Sequence, residues 1–131
     1  MHKGSCLCRA VEYEVSGPLG DIMYCHCSRC RKAGGAAFAA VSAVKTADFH
    51  ILKGQDALKT HRTDGGVDRV FCGHCGSPLI TQRETQPEIV RLRIGSLDTP
   101  VAKKVSMHIF VASKADWDDI HDGAPQFAER P

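Results

Sequence analysis

The chain has little of what marks a membrane, exported or nucleic-acid-binding protein. None of its apolar runs approaches the roughly 20 residues that a bilayer-spanning helix needs. Its first residues, Met1-His2-Lys3-Gly4-Ser5, open no apolar stretch resembling the core of a secretory leader. A formal net charge of +2, with seven histidines taken as neutral, leaves no electrostatic footprint for a nucleic acid. No internal repeat, low-complexity tract or Pro/Gly-rich linker divides the sequence. Residues 1–131 are therefore expected to form a single domain, large enough for a real core but helped at this size by metal cross-links. Neither a membrane nor a nucleic acid is expected as a partner.

Long helical patterns are scarce too, and short strands dominate. Val11, Tyr13 and Val15 alternate with Glu12 and Glu14, the period of a half-buried strand that Gly17-Pro18 ends. Phe38 to Val44, Phe49 to Leu52, Leu58 to Thr63 and Met107 to Val111 are further candidates, the third expected to pair with the second. Val90, Leu92 and Ile94 alternate with Arg91 and Arg93 in the cleanest strand of the chain. Only two helical turns are expected, one capped by Ser28 and ending at Gly34-Gly35, the other over Ser113 to Trp117. The fold class predicted is mainly β, with short helical turns and strand order left open.

What the chain does have is cysteine. The seven stand as Cys6-x-Cys8, Cys25-x-Cys27-x-x-Cys30 and Cys72-x-x-Cys75. Such spacings are too short for ordinary disulfides within a cluster but suit thiolates converging on a metal. An odd count would also leave one thiol over. Without an export signal a cytoplasmic, reducing location is expected, where clustered cysteines more often bind metal or do redox work.

Seven divides as four plus three. Cys72-Gly73-His74-Cys75-Gly76 has the composition of a zinc knuckle, with Gly76 suited to a positive φ. Cys6 and Cys8, read as alternate residues of a strand, can supply the other half of a closed four-thiolate site. Pairing Cys6 and Cys8 with two central thiols instead would orphan Cys72 and Cys75. Cys25, Cys27 and Cys30 then make a three-thiolate site that keeps one coordination position open for thiol or oxygen. Arg29, Arg31 and Lys32 beside it favour ionised sulfur. His26, between two ligands, points away from the ion if residues 25 to 27 are extended, and His74 within the knuckle faces outward. His108 reads as a hydrogen-bonded histidine of a strand. The spacings match no common iron–sulfur motif, so zinc leads.

These blocks resemble a known family. Gly4-Ser5-Cys6-Leu7-Cys8-Arg9-Ala10-Val11, Cys25-His26-Cys27-Ser28-Arg29-Cys30-Arg31-Lys32 and Phe71-Cys72-Gly73-His74-Cys75-Gly76-Ser77-Pro78-Leu79 together are similar to the glutathione-dependent formaldehyde-activating enzyme (Gfa) family, also called the centromere protein V family. Gly95-Ser96-Leu97-Asp98, His108-Ile109-Phe110-Val111, Ser113-Lys114-Ala115 and Trp117 resemble its later blocks. The resemblance implies a small zinc-bound domain of the β-tent type. It assigns Cys6, Cys8, Cys72 and Cys75 to structural zinc, and Cys25, Cys27 and Cys30 to catalytic zinc. It also implies a carbon–sulfur lyase that condenses formaldehyde, or a related aldehyde, with the glutathione thiol to S-(hydroxymethyl)glutathione. Arg29, Arg31 and Lys32 are expected to meet the glutathione carboxylates. The competing expectation is a non-catalytic zinc-binding module for a protein partner or small thiol.

Overall fold

The computed structural model of the protein describes all 131 residues. In chain order the strands are β1 (His2–Ser5), β2 (Glu12–Val15), β3 (Ile22–Cys25), β4 (Ala39–Lys45), β5 (Phe49–Lys53), β6 (Leu58–Thr63), β7 (Val67–Cys72), β8 (Pro78–Arg83), β9 (Ile89–Arg93) and β10 (Val105–Ile109). One α-helix, α1 (Ser28–Gly34), and four 3-10 turns complete it. The fold is mainly β, as the alternating patterns predict. No helix is long and apolar enough to cross a membrane. The contacts divide the chain into two compact units, Met1–Gly20 with Ser42–Ala102 and Asp21–Val41 with Lys103–Pro131.

In the first unit, β2 lies between β1 and β5, antiparallel to both. Its alternation is realised: Val11, Tyr13 and Val15 are fully buried, while Glu12 and Glu14 are half-buried. Tyr13 packs 5.2 Å from the Phe49 ring and shares a 2.6 Å hydrogen bond with Ser96 Oγ. Burial outweighs the opposing Ser96 bond and pushes its phenol up to about 12. Gly4 faces Tyr13 across the ladder, and a Cβ there would stand 2.3 Å from the tyrosine oxygen. The close packing of that ring therefore requires glycine.

The rest of this unit is an antiparallel meander in which β6 pairs β7, β7 pairs β8 and β8 pairs β9. The expected pairing of β6 with β5 does not form, since β5 pairs β2. Gly54 at φ +84° and the 3-10 turn Gln55–Ala57 separate the two strands. Asp64-Gly65-Gly66, with both glycines at positive φ, instead folds β6 back on β7 as a hairpin. Leu79, Val90 and Leu92 of the meander join the β2 residues in one core.

In the second unit β3 and β10 run parallel, with Cys25 opposite Ile109. The β10 strand starts and ends two residues before the expected Met107–Val111. Phe110 adopts φ +56°, which breaks the extended run, and Val111–Ser113 forms a 3-10 turn. That turn replaces the helical one expected over Ser113–Trp117. The C-terminal tail then returns along β10: His108 N–H donates to Pro125 O at 2.9 Å, and Phe127 N–H donates to His108 O at 2.9 Å. Tyr24 of β3 stacks on Phe38 at 4.1 Å.

Candidate metal centres

The first unit brings Cys6, Cys8, Cys72 and Cys75 together, with all four sulfurs within 4.8 Å of one another. Cys6 and Cys8 lie in the turn after β1 rather than at alternate strand positions. Arg9, at φ +62°, donates its N–H to Cys6 O at 3.1 Å, and Cys6 N–H donates to Val11 O at 3.1 Å. The tight turn, not the pleat, makes the two thiols converge. Cys72 ends β7, and Gly76 at φ +80° closes the knuckle by donating to Cys72 O at 2.8 Å. Leu7 N–H reaches Ser77 Oγ at 2.9 Å and ties one half-site to the other.

The sulfur spacing tests the fit to zinc. A tetrahedron with Zn–S bonds of 2.3 Å has edges of about 3.8 Å. Cys6 and Cys8 Sγ are 3.7 Å apart, and Cys8 and Cys72 Sγ are 3.8 Å apart. Val11 N–H approaches Cys6 Sγ at 3.3 Å and His74 N–H approaches Cys72 Sγ at 3.4 Å, the amide support that thiolates need. His74 itself is exposed, as a residue inside a knuckle should be.

The thiols titrate apart. The Ser77 hydroxyl and amide hold Cys75 down to about 5. Burial raises Cys6, but bonding to the Val11 amide and to Cys8 and Cys72 leaves it below its ordinary value. The Ala10 amide favours the Cys8 thiolate, yet desolvation and the neighbouring thiols outweigh it and push Cys8 up to about 11. Sulfurs this close cannot all ionise without a cation among them. The donor set suits zinc.

The second unit gathers Cys25, Cys27 and Cys30, again within 4.8 Å. Cys25 ends β3. Cys27, with extended φ −65° and ψ 153°, is the N-cap of α1, and its Sγ accepts the Cys30 N–H at 3.3 Å. Ser28, the expected cap, is instead the first helical residue. The α1 C-terminus falls where glycine predicts it, on Gly35 at φ +62°. Cys25 and Cys30 lower Cys27 to about 2, while Cys27 and Cys30, with burial, drive Cys25 far up. Arg29 and Lys32 are exposed and Arg31 is half-buried.

His26 is completely buried and joins no sulfur cluster. Its Nε2 lies 2.8 Å from His108 Nδ1, and His108 Nε2 lies 2.9 and 3.0 Å from the two Asp122 oxygens. Burial pushes the His26 pKa down, and protonation of the neighbouring His108 would press it in the same direction. Asp122 was invisible in the sequence, because no local spacing connects it to residue 26.

Comparisons with known proteins agree with this arrangement. The chain is 26% identical over 125 residues to proteins of Aspergillus flavus and Aspergillus oryzae, each provisionally named a glutathione-dependent formaldehyde-activating enzyme. The match takes in 94% of this chain but 56% of each relative, so the chain spans little more than half their length. A crystal structure of a Rhodobacter sphaeroides protein superposes with a TM-score of 0.65 at 29% identity, covering 75% of this chain and 89% of that one. The family profile described as glutathione-dependent formaldehyde-activating enzyme matches residues 1–113, which include all seven cysteines. With that span matched, the chain belongs to the glutathione-dependent formaldehyde-activating enzyme family.

Proposed function

We propose that residues 1–131 act as one zinc-dependent carbon–sulfur lyase domain, joining formaldehyde or a related aldehyde to the glutathione thiol to give S-(hydroxymethyl)glutathione. The observation that carries the reading is the convergence of Cys25, Cys27 and Cys30 without a fourth sulfur. A purely structural module has no use for an incomplete ligand set. Zinc held by these three thiolates would supply a Lewis acid with one position open. Cys6, Cys8, Cys72 and Cys75 would hold a second, closed zinc whose role is structural.

The remaining chemistry belongs to the chain. In the net reaction the thiol S–H breaks, a C–S bond forms to the aldehyde carbon, and the carbonyl oxygen ends as a hydroxyl. One proton leaves sulfur and one reaches oxygen, so no electron donor is needed. Arg29, Arg31 and Lys32, on the helix that Cys27 caps, supply cations for the two glutathione carboxylates. Arg31 Nε is buried without a hydrogen-bond partner, which leaves a donor for such an anion.

Exchange NMR with 13C-formaldehyde and glutathione tests the reading. Protein carrying two zinc ions is expected to speed exchange between free aldehyde and adduct, and Cys27→Ser to abolish the gain. Exchange no faster than in buffer, with both sites loaded, overturns the enzyme and leaves a zinc-binding module.

A further inference from the structure

The family profile ends at residue 113, yet the buried hydrogen-bond chain beside the three-cysteine cluster ends on Asp122. We propose that the C-terminal segment 114–131 is a positioning element for Cys25, Cys27 and Cys30, acting through Asp122, His108 and His26. The inference rests on reading these three cysteines as an open metal site.

The argument starts from direction. A carboxylate only accepts, so His108 Nε2 carries the hydrogen it donates to Asp122. In a neutral His108 ring, Nδ1 is then an acceptor and takes its hydrogen from His26 Nε2. With either protonation state of His108, one hydrogen bridges the two rings, so one exposed aspartate orients two imidazoles that are 2% and 0% exposed. The His26 ring is also flanked by Phe38, with centroids 5.4 Å apart, and the backbone N–H of His26 donates to Ile109 O at 3.0 Å. Both the ring and the backbone of residue 26 are therefore tied to β10.

Residue 26 has a metal ligand on each side. Shifting its backbone would swing the Cys25 and Cys27 sulfurs, and a ring held by His108 together with the N–H held by Ile109 O resists that shift, so an anchored His26 sets where two of three thiolates point. The tail is itself locked: Asp122 Oδ1 accepts the Ala124 N–H at 3.0 Å. Beyond it, Val111 and Ala112 donate to Phe127 and Ala128 at 3.0 and 3.1 Å. Hydrogen bonds behind metal ligands typically control affinity by about 10–100-fold. Here that control would come from residues outside the family-matched span.

The test compares the wild-type chain of residues 1–131 with Asp122→Ala and Asp122→Asn, chosen because Asp122 is exposed enough to replace without opening the core. Zinc affinity is read by competition with a chromophoric chelator, ligand geometry from the spectrum of the cobalt-loaded protein, and thiol presentation from alkylation rates in metal-free protein. Asp122→Ala is expected to weaken the three-cysteine site about tenfold or more, shift its cobalt bands and alter Cys27 alkylation, with the four-cysteine site unchanged. Asp122→Asn, which keeps an accepting oxygen, is expected to restore most of the affinity. Unchanged affinity, spectrum and alkylation in Asp122→Ala overturn the proposal, as does equal weakening of both sites, which would mark a merely structural tail. A wild type that takes no metal at the three cysteines refutes the open metal site, while the alkylation comparison still decides the role of Asp122.

Discussion

Replacing Cys72 by Ser should be far more damaging than replacing Cys30, and connectivity gives the size of the difference. A metal link from Cys8 to Cys72 closes a loop of 64 residues, which on chain-entropy grounds stabilises the fold by about 4 kcal/mol. Linking Cys25 to Cys30 closes only a few residues and yields about 2 kcal/mol on the same grounds. Cys72 is also wholly buried, so serine would set a hydroxyl in a dry site against three sulfurs without their cation. Structural zinc in small peptides supplies folding free energy on the order of 10 kcal/mol, comparable with the whole stability of a domain of this size. Cys72→Ser should therefore abolish the cooperative melt, while Cys30→Ser should keep it, lowered by roughly 10 °C or less. The assay is thermal unfolding under reductant, with zinc counted per chain in each variant. Equal losses, or a Cys30 variant less stable than the Cys72 one, would refute the division into structural and open sites.

A mild chelator should remove about one zinc per chain with the circular dichroism unchanged, because three thiolates with an exchangeable position hold metal less tightly than four; loss of all metal together with unfolding would contradict this. Arg29→Glu or Arg31→Glu should weaken glutathione binding measured by calorimetry, and the wild-type affinity should fall with salt, since exposed charges are screened over roughly 8 Å. Unchanged affinity in both reversals would remove these side chains from the binding site. Gly4→Ala should destabilise by about 1–3 kcal/mol in denaturant melts, through the clash with the Tyr13 ring. Tyr13→Phe should cost only about 1 kcal/mol, since Ser96 Oγ can still donate to Arg93 O.

The sequence was legible where physics is local. The alternation of Val11, Tyr13 and Val15, the glycine stop at Gly35 and the knuckle around Gly76 all depend on neighbours a few residues away, and all three formed where expected. The grouping of seven cysteines was readable as well, because spacing and coordination number leave few ways to share them. Local reasoning slipped where two local solutions compete. The Cys27 thiol took the cap that a serine usually fills, and Asp64-Gly65-Gly66 gave β6 a nearer partner than β5. The hairpin signal lies in those three residues, two of them glycines at positive φ. Long-range parallel pairing left no local trace. Nothing around Met107 announces Ile22–Cys25 as its partner, and hence nothing announced that Asp122 would stand behind His26.

The parallel pairing of β3 with β10 also orders the protein's birth. In synthesis from the N-terminus, Cys6, Cys8, Cys72 and Cys75 have all been made by residue 75, and the rest of the first unit follows by Ala102. The first unit can then close around its ion during synthesis. Cys25, Cys27 and Cys30 emerge early too, but β10 and residues 125–129 that bond to it are translated only after the whole of the first unit. Until those residues emerge, the nascent chain carries three thiols beside a β3 that lacks its parallel partner, open to whichever soft metal or oxidant reaches them first.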